Sequence, residues 1–167
     1  MVLKSLIVTI GIIFFLLLEF FFPKEKIKFK KKVSRISKNI FFWLVNIGIT
    51  PIIILPITIY ATQFEIHNLF KFDNLILSFL FHLIIIDVFL YWWHRLNHEI
   101  PFLWRFHHVH HLDETLDISS GVRFHFGEVI LSALVRSLLI IIFNISLVNL
   151  LLIEAIILIS SIFHHSN

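Results

Sequence analysis

The sequence predicts an all-α integral membrane protein with four or five transmembrane or re-entrant helices and a His-rich helical region on one face of the bilayer. Three observations predict it. The 167 residues are 58% hydrophobic, against about 45–50% in soluble domains, and the mean hydropathy is +0.92. The apolar residues fall in long runs separated by short polar segments, and a chain this size has no core large enough to bury them. No ten-residue alternating pattern of a transmembrane barrel occurs, so helices are left to satisfy the backbone in lipid.

The first apolar run, Leu6 to Phe22, is just long enough to cross a bilayer. Phe20, Phe21, Phe22 and Pro23 stand where a signal peptide would need small residues for cleavage, so the run reads as an uncleaved helix. A basic segment follows: eight of the 14 Lys and Arg lie between Lys24 and Lys38. Flanked by hydrophobic spans, it reads as a juxtamembrane loop facing anionic lipid, with no nucleic-acid partner implied.

The second span is Ile40 to Tyr60, expected to kink at Pro51 and Pro56. After a polar segment, Ala61 to Asn74, the third span runs from Leu75 to about Trp93 and ends in the aromatic belt Tyr91, Trp92 and Trp93. The only long polar region, His94 to Glu128, comes next. Val129 to Phe143, short for a full crossing, and Ile145 to Phe163 then form two spans or a re-entrant hairpin. Residues 1–167 are read as a single membrane domain. The 24–38 loop holds eight cations and the 61–74 loop only Lys71. The positive-inside rule therefore sets the basic loop and the His-rich region on the cytoplasmic face of a multi-pass protein. Nine of the 11 His then gather at that surface, leaving out His67 and His82.

Seven His fall within residues 94–125, and neutral imidazole is the commonest metal ligand. His94 and His98 are i and i+4, on one helical face with Asp87 and Tyr91. Asp87, an ionisable residue inside a span, is expected to accept an N–H from a ligand imidazole. His107, His110 and His111 share a second face, and His108 points about 100° away from it and is left out. Cys is absent, which removes thiolate ligands and cysteine nucleophiles. No His-Glu-x-x-His or Gly-x-Ser-x-Gly motif occurs, against a zinc protease or serine hydrolase. Haem would use one or two axial His. A metal transporter would need its ligands at mid-membrane, whereas these lie beyond the helix ends.

The ordered set Asp87-x3-Tyr91-Trp92-x-His94-Arg95-x2-His98, then Pro101-x2-Trp104-Arg105-x-His107-x2-His110-His111, then Arg123-Phe124-His125 and Glu128, resembles the fatty acid hydroxylase / sterol desaturase superfamily of membrane di-iron oxygenases. The resemblance runs closely from about residue 80 to 167, with His165-Ser166-Asn167 similar to the family's His-x-Asn element. It implies two iron ions, with zinc able to take the same ligands in purified protein, held by His94, His98, His107, His110, His111, His125 and His165. It implies hydroxylation or desaturation of a sterol or fatty-acyl chain in lipid biosynthesis, with O2 and an electron-donor protein as partners. Family members carry a further His-x2-His-His cluster and an Asn-Tyr-Gly segment beyond this point, and two ions want roughly six to eight protein ligands. The chain is therefore expected to be C-terminally incomplete and, alone, to hold fewer than two irons. The alternative reading is an inactive metal-binding remnant or one half of a split enzyme.

Overall fold

The computed structural model describes residues 2–25, 29–64 and 70–167, so His67, Lys26 and Lys28 lie outside the described residues. Among the described residues the fold is helical throughout, with no strand. The α-helices are α1 (Val2–Phe21), α2 (Phe29–Ile49), α3 (Leu55–Thr62), α4 (Leu75–Glu99), α5 (Pro101–His107), α6 (Phe126–Phe143) and α7 (Leu147–His165). Among the described residues, four helical stretches are long and apolar enough to cross a membrane: Lys32–Thr62, Leu75–Glu99, Phe126–Phe143 and Leu147–His165.

The apolar surface is distributed as lipid solvation requires. Phe20, Phe22 and Leu75 are 77%, 78% and 82% exposed. The buried core is small, built from Ala61, Ile86, Ile140, Ile145, Leu150 and Ile153. In water so many bare aromatic and aliphatic side chains would drive aggregation; in a bilayer they cost nothing.

Two elements differ from the sequence expectation. The basic segment is not all loop: α2 begins at Phe29. Lys and Arg are good helix formers, and Arg35 is anchored to Thr115 and Asp117 while Lys32 meets Glu19 of α1 at 3.5 Å. At Pro51 and Pro56 the helix is not broken. Residues Thr50–Ile54 form a π turn in which Leu55 N–H reaches the Thr50 carbonyl, and Thr50 Oγ1 donates to Asn46 O at 2.7 Å. The wider turn absorbs the missing proline donors, so α2 and α3 act as one span.

α6 and α7 have 18 and 19 residues, about 27 and 28 Å long at 1.5 Å per residue, against a hydrocarbon core of about 30 Å. α6 is longer than the apolar run because it begins at Phe126, so both helices reach crossing length. Between them Asn144 adopts φ 52°, ψ 45°, the left-handed conformation that ends α6, and Ser146 caps α7. α7 packs on α1 and α4, and α6 on α3.

One end of the bundle is a polar platform. It collects the ends of α1, α4 and α7, the start of α2, and the segment between α5 and α6. Asn39 on α2 is fully buried, donating to Asp113 Oδ2 at 3.0 Å and Ser119 Oγ at 2.9 Å. Arg123 bonds Asp113 Oδ1 at 2.5 Å and Asn39 Oδ1 at 3.2 Å, and Asn46 holds the Phe124 carbonyl at 2.8 Å. Glu19 accepts the Ile118 N–H at 2.9 Å. These bonds clamp residues 113–124 against α1 and α2.

Candidate metal centre

α4 must stop before Pro101, which disfavours a helical Ile100; Ile100 is extended, at φ −97°, ψ 115°. Pro101 then opens α5, where its missing N–H costs nothing. This break folds α5 back along the end of α4, so His107 and His111 arrive beside His94 and His98. One ring nitrogen from each of these four lies within 4.8 Å of the others. His98 Nε2 is 3.2 Å from His94 Nε2, and His111 Nε2 is 3.0 Å from His107 Nε2. Ligands bonded to one ion at about 2.1 Å in adjacent positions sit about 3.0 Å apart.

The chain leaves α-geometry after His107, and residues His110–Leu112 form a tighter 3₁₀ turn. His110 is thereby separated from the face it shares with His107 and His111 in an ideal helix. It stacks on Phe124, centroids 4.6 Å apart at 10°, and its Nε2 lies 3.0 Å from Nε2 of His165 on α7. The rings of His107 and His110 are 5.6 Å apart, so this pair adjoins the group of four.

Hydrogen bonds fix which nitrogen carries the proton at three positions. His110 Nδ1–H donates to the Arg123 carbonyl at 3.2 Å, and His165 Nδ1–H to the Ser161 carbonyl at 2.6 Å. Both Nε2 atoms of the pair are then lone-pair acceptors facing each other across 3.0 Å. Neutral imidazoles in that state repel unless a cation lies between them. A proton is a poor candidate: burial, then the neighbouring His165, push the His110 pKa down to about 3. His107 Nδ1 meets Glu128 Oε1 at 2.8 Å, leaving its Nε2 for a metal. The His111 pKa falls to about 4, through burial first and His107 next. His110 and His111 are therefore neutral and ligand-competent at pH 7. The donor set fits a borderline transition metal such as iron or zinc.

Six of the seven sequence-predicted ligands are thus brought into two adjoining groups. His125 is not brought to them. As N-cap of α6, its Nδ1 accepts the Gly127 N–H at 3.0 Å, which puts the proton of a neutral ring on Nε2 and leaves no lone pair for a metal. Its ring packs on Phe42, Phe106 and Phe126. Gly127 is required here, since a Cβ would come within 2.7 Å of the Phe106 ring. Tyr91, placed by spacing on the ligand face, is turned outward and 61% exposed. Asp87 stands on the wall of the cavity below the histidines, with no hydrogen bond among the described residues. The carboxylate that meets a cluster imidazole is Glu128 instead, from a different helix. His108 is exposed against Trp104. His82 is buried at the opposite end, between the Phe143 carbonyl and Asn149.

Below the histidines a cavity of about 490 Å³ opens between α4, α6 and α7. Its walls include Leu83, Leu90, Val129, Ile156 and Ile157, and His94, His110 and His165 close one end. Four buried polar atoms of its lining residues have no protein partner: Trp93 Nε1, Asn97 Nδ2, Glu128 Oε2 and Arg136 Nε.

Apolar helices of membrane-crossing length that gather six imidazoles at one end, above a cavity between the helices, define the class: a helical membrane protein whose histidine cluster could hold a metal ion. A family model for fatty acid hydroxylases matches residues 79–167. That match spans more than half of the chain and includes both histidine groups, and the chain belongs to the fatty acid hydroxylase family. No curated protein and no solved structure matches it.

Proposed function

We propose that the protein is a membrane oxidoreductase that oxidises an unactivated C–H bond of a lipid, a fatty-acyl chain or sterol, by hydroxylation or desaturation. His94, His98, His107 and His111 would hold one iron ion, and His110 with His165 would contribute to a second. Bound iron would supply the activation of O2, with electrons from a donor protein. The observation that carries this reading is the pair of tautomer-fixed Nε2 atoms of His110 and His165, 3.0 Å apart.

The residues around the ions have separate tasks. Glu128 holds His107 in the ligating tautomer. The Arg123 and Ser161 carbonyls do the same for His110 and His165. The Asn39–Asp113–Arg123 network keeps the Arg123 carbonyl in place. The apolar cavity walls admit an alkyl segment from the bilayer and exclude water. Trp93 Nε1 and Asn97 Nδ2 offer N–H groups to a polar group of the substrate close to the histidines. By the basic-loop argument, this end faces the cytoplasm, where a soluble donor protein has access.

Metal analysis of the purified chain tests the proposal. Iron or zinc should copurify, and the His107→Ala/His111→Ala variant should lose most of it. His110→Ala/His165→Ala should lose the more weakly held ion alone, and His108→Ala none. Isotopically labelled O2, a reductant and mixed membrane lipids should yield a product carrying the label, or an unsaturated lipid. Metal content that ignores the His107/His111 change would overturn the assignment.

A further inference from the structure

The cavity's inner end is not apolar. Three helices each bring one ionisable residue to mid-membrane depth. Arg136 lies ten residues into α6, about 15 Å from its start. Asp87 is 12 residues from the end of α4, about 18 Å, and Glu154 is 11 residues from the end of α7, about 17 Å. Arg136 and Asp87 both line the cavity, and Glu128, Ser132 and Arg136 form a polar stripe at i, i+4 and i+8 down the α6 wall. Charges at this depth are costly and are kept where they pair or meet a polar ligand.

The Arg136–Glu154 pair is built loosely for a purely structural bridge. The Nη2–Oε1 distance is 3.5 Å, and the two side chains are 19% and 26% exposed. Arg136 Nε is buried without a partner. A guanidinium has five N–H donors, so capacity remains toward the cavity. With Glu154 beside Arg136 and Asp87 on the wall of the same cavity, the three charges sum to −1 when all are ionised, which disfavours an anionic guest. A hydroxyl suits the mixture, since it accepts from Arg136 and donates to a carboxylate.

Resting on the lipid-oxidation reading above, we propose that this inner end is a specificity site for a hydroxyl-bearing lipid. Arg136 and Asp87 bind an oxygen function distant from the carbon that reacts beneath the histidines. The eight residues from Glu128 to Arg136 set that separation at about 12 Å. The site thus selects elongated lipids that already carry a hydroxyl over plain hydrocarbon chains.

The experiment measures saturable quenching of tryptophan fluorescence by two probes in the full chain reconstituted in nanodiscs. Trp43→Phe, Trp92→Phe and Trp104→Phe remove the three indoles outside the cavity and leave Trp93 in its wall. One probe is bromododecane. The other is bromododecanol brominated at the carbon farthest from its hydroxyl, so that the hydroxyl at Arg136 sets the bromine toward Trp93. The alcohol should half-quench at a concentration about tenfold below that of the bromoalkane, the scale of a hydrogen bond to a charged group. In Arg136→Leu/Glu154→Leu, which removes both partners of the ion pair together, the advantage should vanish while bromododecane binds as before, reporting an intact cavity. Asp87→Asn should narrow the advantage from another wall. Equal half-quenching in the parent, or an advantage that persists in both variants, overturns the proposal while leaving the lipid site standing. Absence of saturable quenching by either probe overturns the lipid reading of the cavity, and this inference with it.

Discussion

His107 has two ring nitrogens, and Glu128 engages one of them. The contact is buried, 1% and 7% exposed, at 2.8 Å, so Nδ1 carries a proton toward the carboxylate and Nε2 is left toward His94, His98 and His111. Glu128→Gln keeps the shape and removes the charge, and losing such a partner typically weakens metal binding about 10–100-fold. Competition with a chelator of known affinity measures it, and an unchanged affinity would remove Glu128 from the site. His110 and His111 make a second expectation. Their folded pKa values, about 3 and about 4, lie below the unfolded value near 6.5. The metal-free folded state therefore binds fewer protons than the unfolded chain in that window. Its stability is fully present above about pH 6.5 and is lost as pH falls toward 4 and then 3. Thermal unfolding of the metal-free protein in detergent should show a midpoint that drops over this range, and His110→Gln should flatten the slope. At this scale the sequence was informative about residue type but not about partner. Glu128 stood out only as the last member of the family-like motif set, and no spacing rule ties it to His107, 21 residues away. For His125 the sequence could not show that its Nδ1 lone pair is taken by the cap of α6.

Breaks in the helices decide where the side chains go. Ile100–Pro101 turns the chain back, and the 3₁₀ turn at His110 divides one apparent helical face between two histidine groups. Pro101 was legible as a helix boundary. The rotation after His107 was not, because the change of about 20° per residue from α to 3₁₀ geometry leaves no mark in a five-residue sequence. The hairpin between α6 and α7 depends on Asn144 at φ 52°. Asn tolerates this conformation better than most residues with a side chain. Asn144→Ala should cost about 1–2 kcal/mol, while Asn144→Gly should be tolerated with little loss. Denaturant titration in mixed micelles would read the difference, and equal stabilities for the two variants would show that the turn carries no strain.

The whole molecule collects its chemistry at one end. Arg35 of α2 is tied to Thr115 and Asp117, so the basic start of α2 and the histidine region must share a membrane face. The far end holds His82, Asn149 and the Phe70–Phe81–Phe143 ring cluster. Reporters fused at Ser34 and Thr115 should therefore give the same sidedness, and one at Asn68 the opposite. Discordant signals at the first two sites would contradict the clamp as well as the orientation.

Composition and run length alone determined a helical membrane protein, because lipid leaves the backbone few other ways to satisfy its hydrogen bonds. The i, i+4 spacing of His94 and His98 and the boundary at Pro101 were equally local, and so readable along the chain. Three features came only with the tertiary structure: the division of the histidines between two groups, the carboxylate beside His107, and the charged inner end of the cavity. Each joins residues on different helices. Their juxtaposition depends on helix rotation and crossing, which packing between helices decides and no single segment encodes.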